Sequence, residues 1–331
     1  MSKIITEIAP GMNARKKFFP DDIIEFYAPG LKKWETKEWK PSNPRNFLPV
    51  SVTGSACALQ CDHCQSKVLE GMISVRAGQD LYDLAAKLKA SGSEGILVSG
   101  GSTKTGGVPL SRHLTMVPRI KEELGMKVIV HSGVVSPQLA EDLANAEVDG
   151  VMLDIIGADE TIKDVYHLDL EAKDFERSLS LLADRQLRII PHIVLGLHYG
   201  KFLGEYNALD MISRYPVSTL ILVVLVPLIG TPMGHLPPPP VDDITNFFTL
   251  ARQSLPSTKL NLGCARPMGN MKVELDYSAV DNGFNGIAYP AEGIIEYSRT
   301  KGLQPRLYEW CCSLTWAGED GASYSEVSLG D

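Results

Sequence analysis

The sequence predicts an α/β protein of the (β/α)8, TIM-type barrel class. Three observations carry that expectation. From residue 48 onward, strand-sized apolar runs alternate with helix-period patterns, eight such runs occur, and they spread over about 250 residues, the usual extent of such a barrel. A doubly wound open sheet is the alternative that the same alternation allows.

The elements follow in order. Residues 1–46 are of mixed charge, carry Trp34 and Trp39, and read as an N-terminal extension with one helix near Pro20–Tyr27. The strand candidates are then Val50–Thr53, Gly95–Ser99, Lys127–His131, Gly150–Ile155, Arg188–Leu195, Leu220–Val226, Leu260–Cys264 and Gly286–Tyr289. Helical patterns between them include Leu81–Leu88, Pro137–Ala146, Phe175–Ala183 and Val241–Leu255, the last with Asp242 or Asp243 as its N-cap. The run Pro237 to Pro240 predicts a stiff polyproline connection. This divides the chain into the extension, a barrel over 47–313 and a C-terminal tail over 314–331, whose end from Ala317 to Asp331 reads as loose and solvated.

Composition bounds the function. With 331 residues, 44% of them hydrophobic, the chain can bury a full core. A net charge of −8 argues against nucleic-acid or anionic-membrane partners, which reward basic patches. The longest apolar run, Leu220 to Val226, is strand-sized and ends at Pro227, so no bilayer span is expected. The opening residues Met1–Glu7 do not read as a signal peptide, and six cysteines without an export signal point to the cytoplasm and to metal or catalytic use rather than disulfides.

Three of those cysteines, Cys57, Cys61 and Cys64, form a C-x3-C-x2-C run directly after the first strand candidate. Three thiolates can hold three irons of a 4Fe–4S cluster, normally held by four, and leave the fourth iron open to a chelating ligand. A zinc knuckle or half of a redox dithiol are the alternatives. Structural zinc wants four ligands, and His63 is a poor fourth because it is pinned beside Cys64; a redox dithiol has no use for Cys57. Active sites of barrels collect at the C-terminal ends of the strands, which is where this loop falls.

The C-x3-C-x2-C loop resembles the signature of the radical S-adenosylmethionine (SAM) superfamily. That resemblance implies a 4Fe–4S cluster and SAM as cofactors, with reduction of SAM at the open iron releasing a 5′-deoxyadenosyl radical. It also gives roles to the other strand ends. The turn Ser99-Gly100-Gly101-Ser102 is similar to the family's Gly-Gly-Glu turn at the ammonium of SAM, with Ser102 in place of Glu; an ordinary strand-to-loop turn is the alternative. His131 ends the third strand candidate, and Asp154 ends the fourth, where a carboxylate can hold the ribose hydroxyls of SAM or serve as a cap or ion-pair partner. His192 and Gly196, with Glu205 beyond, resemble the Gly-x-Ile-x-Gly-x-x-Glu region that packs on adenine; His192 and His198 are otherwise polar rim residues. Gly230-Thr231-Pro232 is similar to a turn of biotin-synthase-like enzymes.

Over residues 48–313 the chain resembles the biotin synthase and lipoyl synthase branch. Ser51–Gly54, Val165-Tyr166-His167-Leu168-Asp169, Gly263–Pro267 and Trp310-Cys311-Cys312 are most similar to one subunit of the two-protein, archaeal-type lipoyl synthase. This implies sulfur insertion into an octanoyl chain on a lipoyl-carrier protein or peptide, a second radical SAM protein as partner, and a ferredoxin- or flavodoxin-type reductant. Cys264, at the end of the seventh strand candidate, and Cys311 and Cys312, after the eighth, can converge on the active face as ligands of a second, auxiliary iron–sulfur cluster, with Arg266 and Ser313 the nearest candidates for its fourth site. Three buried structural thiols are the alternative. A biotin-synthase-like or methylating enzyme on a small molecule, and a non-catalytic iron–sulfur electron carrier, are the other functional expectations.

Overall fold

The computed structural model describes residues 10–316, so the tail from Ala317 to Asp331 lies outside the described residues. Eleven strands form within them: β1 (Ile23–Tyr27), β2 (Phe47–Ser51), β3 (Ile73–Ser74), β4 (Gly95–Ser99), β5 (Lys127–His131), β6 (Gly150–Asp154), β7 (Ile189–Leu195), β8 (Thr219–Val224), β9 (Lys259–Leu262), β10 (Gly286–Ala288) and β11 (Gln304–Tyr308). They make one sheet in the order β11-β1-β10-β9-β8-β7-β6-β5-β4-β2-β3, and every pairing is parallel. From β3 to β11 each successive pair of strands is connected through at least one helix, as parallel pairing of neighbours requires. The α/β barrel class is therefore as the alternation predicts, in an open form: β11 and β3 are edges, not partners.

The middles of the central strands are apolar because helices cover one face and the barrel interior the other. Ile96, Val98, Val128, Ile129, Val130 and Val151 have no exposed surface. Helix starts are fixed by local chemistry. Ser136 accepts from Leu139 N at 3.1 Å with Pro137 in the first turn, and Glu171 and Asp174 form a reciprocal capping box that starts the helix Ala172–Ala183 three residues ahead of the predicted Phe175. The helix Val241–Ser254 is capped by Pro240 in extended conformation, not by Asp242 or Asp243; those carboxylates lie in the first turn, where they face the positive end of the helix dipole.

Two segments differ from expectation. The predicted helix near Pro20–Tyr27 is β1, which pairs with β10 (Glu25 with Gly286) and β11 (Tyr27 with Tyr308). Glu25 breaks its apolar run, yet it is buried and accepts a 2.7 Å hydrogen bond from Tyr27 Oη. The second is the stretch after β11. Trp310 to Trp316 is buried throughout and runs across the concave face of the sheet. Asn261 Nδ2 donates to Cys312 O at 2.7 Å, Thr219 and Thr315 hydroxyls meet at 2.6 Å, and Arg188 lies 4.7 Å over the Trp316 ring. This segment, including three residues assigned to the tail, fills space that a closed barrel gives to layered side chains.

Candidate active site

Because all strands are parallel, their C-terminal ends share one side. Side chains from β2 and from β4 through β8 line a single cavity of about 560 Å³ there. Cys57, Cys61 and Cys64 border it, as do Ser99, Gly100, Gly101, Ser102, His131, Asp154, His192 and Cys264.

The three-cysteine loop lies on the turn after β4. Thr53 Oγ1 accepts from Gly101 N at 2.7 Å, and Ala58 N donates to Ser102 O at 2.9 Å. A Cβ on Gly101 would stand 2.0 Å from Ala56 O and 2.6 Å from Cys57 Cα. The close approach that demands glycine at this position is therefore to the backbone of the thiol loop, where the sequence alone suggested an approach to SAM. Gly101→Ala is expected to displace Cys57 and lower bound iron as well as SAM affinity; iron content equal to wild type would contradict this.

Within the loop, Cys61 and Cys64 are buried and Cys57 is partly exposed. Cys61 and Cys64 are hydrogen-bonded through their thiols. Cys64 is held low, at about 4, by that bond and by His63, while Cys61 is pushed up by the same bond and by burial. Among the described residues no three cysteine, histidine or carboxylate groups converge closely enough to hold a single metal ion. Three thiolates from one loop match a 4Fe–4S cluster that keeps one iron open, so the donor set fits that group.

Behind the loop stand His131, Asp154 and His192, on the adjacent strands β5, β6 and β7. Asp154 Oδ1 is 3.7 Å from His131 Nε2, and the two imidazoles stack edge to face at 5.7 Å. Burial works to raise Asp154, but the neighbouring His131, then His192, hold it below the usual carboxylate range. His192 is pushed down to about 4 by burial and then by His131. A buried neutral histidine loses stability on acidification: its contribution is intact above about pH 6.5, falls between pH 6.5 and 4, and is constant below. Urea unfolding at pH 5 and pH 7.5 should show wild type losing on the order of 2 kcal/mol that His192→Gln does not lose; equal losses would remove His192 as the cause.

Gly196 is placed differently from the other expected cofactor residues. It is absent from the cavity wall; its N–H donates to Glu205 Oε1 at 2.8 Å, and a Cβ there would stand 2.0 Å from Pro239. Glu205 also accepts from Leu203 N and Gly204 N, so this pair staples the loop after β7 against the proline run.

The second set of thiols assembles where the buried segment after β11 reaches β9. Cys311 and Cys312 are hydrogen-bonded to each other; that bond and Ser313 hold Cys311 low against its burial, and the bond raises Cys312. Cys264, raised by burial and by Cys311, stands near both. Arg266 is not available as a fourth ligand. It is buried and committed to Asp276 (2.7 and 3.1 Å), Gly263 O and Tyr289 O, in a buried ion pair that Lys272 joins at 2.8 Å. Ser313 Oγ is buried beside Cys311 with no conventional partner.

One anchor of the loop is missed in the sequence. Asp62, between two of the cysteines, accepts from Tyr199 Oη at 2.8 Å and meets His167 Nε2 at 2.9 Å; its backbone binds Val165 O and Met233 N. It thereby ties the thiol loop to the loops after β6, β7 and β8. An aspartate inside a cysteine motif was the only linear signal for it.

An open parallel barrel thus carries this three-thiol loop against its cavity, and known proteins resemble it in sequence and in fold. The chain is 25% identical to biotin synthase of Chlorobium phaeobacteroides over 231 residues, 66% of this chain and 67% of that protein. Its fold is similar to methylornithine synthase PylB (TM-score 0.61, 11% identity, 89% and 87% of the two chains). It is similar also to the FeFe-hydrogenase maturase HydG from Carboxydothermus hydrogenoformans (TM-score 0.60, 17% identity, 89% and 70%). No family model matches the sequence. Among the described residues no helix is long and apolar enough to cross a membrane.

Proposed function

We propose that the protein is a radical SAM enzyme that inserts sulfur into an unactivated C–H bond of an octanoyl chain on a carrier protein, in concert with a second radical SAM protein and a ferredoxin- or flavodoxin-type reductant in the cytoplasm. One observation carries this reading: Cys57, Cys61 and Cys64, in the loop after β2, border the same cavity as Cys264, which stands beside the buried pair Cys311 and Cys312. Cys57, Cys61 and Cys64 would hold the 4Fe–4S cluster; Cys264, Cys311 and Cys312 would hold the auxiliary one. When bound, the first cluster and SAM supply a hydrogen-abstracting 5′-deoxyadenosyl radical, and the auxiliary cluster supplies sulfide.

The residues of the chain do the rest. Leu59, Val108, Leu168 and Val223 present buried hydrocarbon to the cavity, which suits an alkyl chain and keeps water from a reactive carbon centre. Asp154, held ionised by His131 and His192, presents a carboxylate suited to the hydroxyls of SAM. Ser99 donates from Oγ to His131 O at 3.1 Å, joining the glycine turn to that group.

The similarity to biotin synthase favours a second reading, sulfur insertion into a free small molecule. Anaerobic reconstitution with SAM, dithionite and an octanoylated peptide, read by mass spectrometry, tests both. Addition of sulfur to the peptide supports the proposal. Formation of 5′-deoxyadenosine with an unaltered peptide moves the substrate to a small molecule, a methyl gain makes it a methylating enzyme, and no SAM cleavage leaves an electron carrier.

A further inference from the structure

The motif Val165-Tyr166-His167-Leu168 runs beside the thiol loop, and its side chains alternate. His167 turns outward to Asp62, while Tyr166 turns inward, its ring 5.3 Å from that of His63, and borders the cavity. Tyr166 Oη is buried with no hydrogen-bond partner, and so is His63 Nδ1. An unmet buried hydroxyl is costly, and one facing a cavity is met by what the cavity binds. Burial and the charges of Asp154, Cys61 and Cys64 push the phenol up, so it stays protonated and acts as a donor.

We propose that Tyr166 donates a hydrogen bond to an anionic acceptor at the cluster end of the cavity, either a sulfur of the cluster held by Cys57, Cys61 and Cys64 or an oxygen of SAM. This rests on the radical SAM reading of the site. The outer contact with Asp62 and the backbone bond from Asp62 N to Val165 O, 3.0 Å, fix the segment against the loop it serves. Tyr166 is thus carried by the same element that locks the ligand loop in place.

The test is Tyr166→Phe, which keeps the ring on His63 and removes only the donor. Two quantities are read on reconstituted protein: the midpoint potential of the cluster without SAM, followed by EPR, and the SAM dissociation constant by equilibrium dialysis. A lower potential with unchanged SAM affinity assigns the acceptor to cluster sulfur, since a lost donor disfavours the more negative reduced state. A roughly tenfold weaker SAM affinity with unchanged potential assigns it to SAM. No change in either overturns the proposal. Should the phenylalanine variant take up less iron, 3-fluorotyrosine at position 166 retains the hydroxyl as a stronger donor and is expected to move the affected quantity the opposite way; no movement again overturns it. Wild-type protein that accepts no cluster would overturn the radical SAM reading itself, a result distinct from an unresponsive Tyr166.

Discussion

Cys61→Ala is expected to abolish reductive cleavage of SAM. The thiol is buried against Cys64, and the loop offers three ligands for three irons, so two remaining thiolates leave the cluster under-held. Anaerobic reduction with dithionite followed by quantitation of 5′-deoxyadenosine reads the outcome, with bound iron measured in parallel. A wild-type yield would sink the assignment, and about one zinc per chain would return the loop to a knuckle.

The second large effect separates the two sets of thiols. Protein with Cys57, Cys61 and Cys64 all changed to Ala should lose SAM cleavage yet still take up iron, because Cys264, Cys311 and Cys312 lie on other elements. The converse triple variant, at Cys264, Cys311 and Cys312, should keep SAM cleavage and lose sulfur insertion. Mössbauer spectra and sulfur-bearing product read the pair of variants. If the first triple variant binds no iron while wild type binds only about four per chain, there is no auxiliary cluster and sulfur insertion falls with it.

Much of the fold was legible in the residues. Gly95–Ser99 and Lys127–His131 match β4 and β5 at both ends, because strands covered on both faces read as unbroken apolar runs bounded by turns. β1 was not legible: Glu25 interrupts its pattern, and the Tyr27 hydroxyl that satisfies the carboxylate belongs to its own strand in a way no linear rule shows. β11 carries Pro305 and Arg306 on an edge of the sheet, and β3 has two residues, too short for any period. The cysteine loop could be read from its spacing because its ligands are local. Asp62 and Tyr166 could not, since their roles come from loops after β6, β7 and β8 that only the sheet brings together.

The buried segment Trp310–Trp316 also orders the making of the protein. Glu25 pairs with Gly286 and Tyr27 with Tyr308, so β1 must wait for the last part of the chain to leave the ribosome, and the segment that follows β11 can settle into the concave face only then. The loop of Cys57, Cys61 and Cys64, by contrast, has its anchors in place once the turn at Met233 has been synthesised. Contacts so distant in sequence form slowly. The two proposed iron sites would therefore be completed in succession, the loop after β2 first and the set of Cys264, Cys311 and Cys312 only after β11 has paired.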